Sequence, residues 1–98
     1  MRQIWKYSLE LLDYQVLRIP NPATVISAAE QHGAIVLYAL VEPGSQAVSR
    51  EVWIFGTGHQ INFGLPPERR CGDPYTEPRF VGTVKMCDGN LMWHIFVR

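Results

Sequence analysis

Gly56-Thr57-Gly58-His59 is the stretch whose residue types come closest to a chemical site. Two glycines two positions apart leave backbone N–H groups free to form a small anion-holding concavity, and Thr57 and His59 add donors for a phosphate or carboxylate. A G-x-G with no helix behind it equally fits a strand-end bulge, whose glycines supply positive φ and admit a neighbouring backbone. Glu68-Arg69-Arg70 with Arg79 forms a basic cluster. Its guanidinium groups suit the same oxyanion or an acidic partner, whereas Glu68, Asp73 and Glu77 dilute it towards ordinary solvated surface. The ligand-binding set read from the sequence is therefore Gly56, Thr57, Gly58, His59, Arg69, Arg70 and Arg79.

His94 sits between Trp93 and Ile95, on a face shared with Met92 and Phe96. A strand histidine needs a second titratable group to do acid–base work. None is visible along the sequence, so His94 reads as a half-buried, hydrogen-bonded residue or, with Tyr75, as part of a partner surface. Cys71, Cys87, His59 and His94 carry ligating atoms, yet no two fall at ligand spacing within one element. No serine stands in a nucleophile elbow. Asp73 and Glu77 lie in a loop and do not make a carboxylate pair. The expectation is a protein without catalytic residues, metal or cofactor.

Composition narrows the class. The 98 residues make one domain spanning 1–98, and 47% apolar with 11% aromatic residues are ample for a core. Nine basic residues balance nine acidic ones, so the surplus of positive charge that general nucleic-acid binding uses is missing. Zero net charge also gives little protection against self-association, which makes a homo-oligomer an expectation. No apolar run reaches the roughly 18 residues of a membrane span. Met1-Arg2-Gln3-Ile4-Trp5-Lys6-Tyr7 alternates and lacks a signal peptide's apolar block, so a cytosolic protein with two free thiols is expected.

The elements that must position these groups are strands. From Ile4 to Leu11 the pattern has period two, with Trp5, Tyr7, Leu9 and Leu11 on one face. A turn at Asp13-Tyr14 lets Gln15–Ile19 return as a second strand, stopped at Pro20-Asn21-Pro22. Ala23–Gln31 mixes helical and strand preferences. His32-Gly33 and the run Ala34–Val41 tip it towards a hairpin turning at the glycine. Because Ala34–Val41 is apolar on both faces, it reads as a central strand. Arg50–Phe55 follows, with Ile61 and Phe63 as a brief extension, then a proline-rich loop over 64–78. Asp88-Gly89-Asn90 joins the last two strands in a second hairpin. About seven strands and no helix predict an all-β fold, a small antiparallel β-sandwich or partly open barrel.

The ordered set Trp5-Lys6-Tyr7, Pro20, Val25-Ile26-Ser27, Gln31 with Gly33, Leu37-Tyr38-Ala39-Leu40-Val41, Gly56-Thr57-Gly58-His59, Phe80-Val81-Gly82-Thr83-Val84 and Trp93-His94-Ile95-Phe96 resembles a family of small phage- and prophage-encoded bacterial proteins of unknown function. The loop over 64–78 is longer than that pattern leads one to expect. What the resemblance implies is a mobile-element accessory protein in the host cytosol, acting by binding. The leading expectation is a non-enzymatic binding protein, inhibiting a host defence protein through an exposed aromatic or loop surface. Two others stand beside it: an oligomer that sequesters a nucleotide or other small anion, and a virion or other structural accessory protein.

Overall fold

The computed structural model describes residues 1–61, 63 and 77–98. Seven strands form two antiparallel sheets: β1 (Gln3–Leu9), β2 (Tyr14–Pro20), β3 (Ala23–Gln31), β4 (Ala34–Val41), β5 (Ala47–Gly56), β6 (Arg79–Met86) and β7 (Leu91–Val97). One sheet has the order β1-β4-β3 and the other β2-β5-β7-β6. They do not close into a barrel, so the sandwich is the form adopted. Among the described residues no helix is long and apolar enough to cross a membrane.

Alternation builds the core. Leu9, Ile35 and Leu37 from the three-stranded sheet meet Val52, Ile54, Val84, Ile95 and Val97 from the four-stranded one, and all are buried. Each such side chain contributes about 1.5–3 kcal/mol by leaving water. The continuous apolar run Ala34–Val41 is indeed the middle strand of its sheet. Its outward-facing Val36 is still only 2% exposed.

Both expected hairpins form. His32 and Gly33 take φ of 52° and 81° between β3 and β4, matching the twist of a two-residue turn. Between β6 and β7, Cys87, Asp88 and Gly89 are all left-handed, and the Asn90 N–H donates to Cys87 O at 3.0 Å. Cys87 is an exposed free thiol.

The first connection differs from the expected return. β1 pairs with β4 and β2 with β5, so the chain crosses from one sheet to the other between them. Leu11, expected on the apolar face of the first strand, lies past its end and is exposed. Gln15 closes this crossing by bridging Glu10, donating from Nε2 to its carbonyl at 2.7 Å and accepting from its N–H at 3.1 Å. At the opposite flank the edge strands β3 and β6 lie against each other. A Cβ at Gly82 would stand 3.9 Å from the Ala28 amide nitrogen, an ordinary van der Waals contact that marks how near the two strands run.

Candidate functional site

β5 ends in the Gly56–His59 corner, where the chain must reverse. The His59 N–H donates to Gly56 O at 3.1 Å, and the Gly56 N–H donates to His59 Nδ1 at 3.2 Å. Two amides that an anion would require are thus engaged within the turn. The ring of His59 is folded so closely over Gly56 that a Cβ there would sit 2.9 Å from Cε1, which explains the first glycine; the second has φ of 86°. Because Nδ1 accepts, the ring proton resides on Nε2. This corner is a closed turn.

Thr57 connects it to His94. Thr57 Oγ1 lies 2.8 Å from His94 Nε2, and Thr83 Oγ1 lies 3.0 Å from Nδ1. Thr83 and His94 are direct cross-strand partners on β6 and β7. Both ring nitrogens are therefore occupied, and the imidazole is a clamp between β6 and the β5 corner. Neither histidine forms an ion pair with a carboxylate among the described residues. The two are not brought together either: Trp93, whose ring centroid is 6.5 Å from that of His59, points to the opposite face from His94. His59 lines an open cleft of about 160 Å³ with Leu11, Leu12, Asp13, Ile54 and Trp93. Among the described residues no three potential ligands group as a metal site.

The most developed surface lies on the outer face of the four-stranded sheet. Its register aligns Tyr14 with Trp53, Trp53 with Phe96, and Phe96 with Phe80, one aromatic from each of the four strands. Phe63 inserts into this rank, with centroids 5.3 Å from Trp53, 5.3 Å from Phe96 and 5.7 Å from Phe55. The interplanar angles of 66–80° are edge-to-face, the arrangement that puts ring edges on ring faces. Phe55–Phe96, Phe80–Phe96 and Tyr14–Trp53 complete the chain of rings.

Although outside the sandwich core, Trp53 and Phe55 are 3% and 7% exposed. The ends of the rank are open, with Tyr14 at 47% and Phe80 at 56%. A polar border runs along it. Arg98 donates from Nε and Nη2 to Glu51 Oε1 at 3.0 and 2.6 Å, and its guanidinium lies 5.1 Å from the Trp53 ring centre. Tyr14 donates its hydroxyl to Glu51 Oε2 at 3.0 Å. Burial, and then that carboxylate, hold the Tyr14 hydroxyl above its ordinary pKa.

The residues expected from sequence are thus divided. Gly56, Thr57, Gly58, His59 and His94 gather at one end of β5. Arg79 pairs with Val97, at the level of Val52, well along the sheet from that corner. Arg69, Arg70, Cys71 and Tyr75, with most of the proline-rich loop, lie outside the described residues. Glu51 and Arg98 escaped the sequence reading. Their signal was available in the period-two continuation of Trp53 and Phe96, which places both on the aromatic face.

Compared with known families, the whole chain, residues 1–98, matches the model described as Domain of unknown function (DUF7352). The chain belongs to that family. No curated protein and no solved structure matches it. In this DUF7352 chain the aromatic rank, the histidine clamp and the closed corner all lie on the four-stranded sheet or at the end of its strand β5.

Proposed function

We propose that this chain is a non-enzymatic binding module that docks a partner protein on the outer face of its four-stranded sheet. The observation that carries the reading is the aromatic rank Tyr14–Trp53–Phe63–Phe96–Phe80, packed outside the core and open at both ends. Aromatic side chains give large contact area at little entropic cost and dominate the energetic centres of protein interfaces. The Arg98–Glu51 pair and the Tyr14 hydroxyl supply a polar rim of the kind such interfaces carry. A host protein as the partner, a phage or prophage origin and inhibition of a defence function are parts of this proposal, supported by the sequence resemblance. Sequestration of a nucleotide at the Gly56–His59 corner is the weaker reading, because that turn's own bonds engage its first and last amides.

The test is affinity capture from host lysate with the chain and with Phe80→Ser. Phe80 is more than half exposed, so the variant stays folded, at a cost of about 1 kcal/mol from the lost ring pair. A stoichiometric partner held by the natural chain and released by Phe80→Ser is the expected outcome. Recovery of none, or equal retention by the variant, contradicts the proposal.

A further inference from the structure

The flank where β3 and β6 meet holds a second feature, separate from the corner and from the middle of the aromatic rank. A cleft of about 80 Å³ opens there, and its lining includes Arg50, Arg79, Thr24 and Phe80. Each facing edge strand carries a register shift beside it, between Val25 and Ser27 in β3 and between Phe80 and Gly82 in β6. Bulges splay a strand pair and re-aim the side chains next to them. Here Val25, Phe80 and Val81, residues at these two irregularities, line the cleft together with the two arginines.

Arg50 is half-buried and held in place, donating from Nε to Arg98 O at 3.1 Å and from Nη1 to Ala23 O at 3.5 Å. Its Nη2 makes no hydrogen bond among the described residues. Arg79 extends into the same cleft from the start of β6, and among the described residues neither arginine pairs with a side-chain carboxylate. Burial first, and the Arg79 charge second, pull the Arg50 guanidinium below its ordinary pKa. Two cations are thus held close together with no side-chain carboxylate against them among the described residues, an arrangement that an entering anion relieves.

We infer that the Arg50–Arg79 cleft binds a phosphate group, either free or at the end of a small phosphomonoester. Arg79 offers a guanidinium fork and Arg50 its remaining N–H donors, and two cations together match the several oxygens and double charge of phosphate better than the single charge of a carboxylate. The cleft is small and open, so the rest of a larger ligand extends from it towards Phe80, which lines it. The site shares Phe80 with the open end of the aromatic rank, but a phosphate titration of Arg79→Gln reads it without any protein partner, so its failure and that of protein capture are told apart.

Calorimetric titration of the whole chain with inorganic phosphate, phenyl phosphate and acetate tests this. Saturable phosphate binding is expected, weakened at least tenfold by Arg79→Gln, with unchanged thermal unfolding of that exposed-site variant in the absence of ligand. Phenyl phosphate binding tighter than phosphate identifies a phosphomonoester stacked on Phe80; equal binding identifies free phosphate. Absence of saturable phosphate binding, acetate binding as tight as phosphate, or an unaffected Arg79→Gln overturns the inference.

Discussion

Trp53→Ala lowers the free energy of unfolding by about 3–5 kcal/mol, as much as a large substitution in the sandwich core. This result is expected although Trp53 faces away from that core. Its ring is 3% exposed, lies between Tyr14 and Phe63 at 5.5 and 5.3 Å, and has the Arg98 guanidinium 5.1 Å from its centre. Truncation removes the buried area of an indole, two ring pairs each contributing about 0.5–1.5 kcal/mol beyond area, and a cation–π contact of about 0.5–1 kcal/mol. An ordinary surface position changes stability by no more than about 0.5 kcal/mol. Urea denaturation at constant m-value distinguishes the two, and a loss below about 1 kcal/mol would mean that the outer aromatic layer is not packed.

Leu37→Ala gives the second large effect, a loss of about 2–5 kcal/mol in the same measurement. Leu37 is 0% exposed at the centre of the middle strand of its sheet, with Tyr7 and Ala28 as its cross-strand partners. Ladders on both sides pin β4, so the backbone cannot move inward to fill the void, and Ala28 is too small to do so. Against a total stability of about 5–15 kcal/mol for a domain of this kind, that loss leaves a chain close to unfolding. A change within 1 kcal/mol would show that the inner faces of the two sheets do not meet as described.

Strand positions were legible because period-two patterning reports which side of a strand is apolar. The hairpins were legible because His32-Gly33 and Asp88-Gly89 have the conformational tolerance that tight turns require. The pattern does not report which strand supplies the hydrogen bonds. β1 and β2 therefore read as neighbours, whereas they belong to different sheets. The same ignorance of register separated what the sequence joined: Arg79 was grouped with the Gly56–His59 corner, yet its own strand sets it beside Arg50. Phe63, read as a strand extension, is instead the ring that binds the aromatic rank together. The sequence pointed to an exposed aromatic or loop surface without saying which rings form it. Only the alignment of Tyr14, Trp53, Phe96 and Phe80 across four strands shows that these rings form a single layer.

Hydrogen exchange of the chain, alone and with its captured partner, tests most directly whether that layer is the working surface. Added protection in the peptides carrying Tyr14, Phe80 and Phe96, with β1 unchanged, is the result the aromatic face requires. Protection confined to β1, β3 and β4 would contradict it.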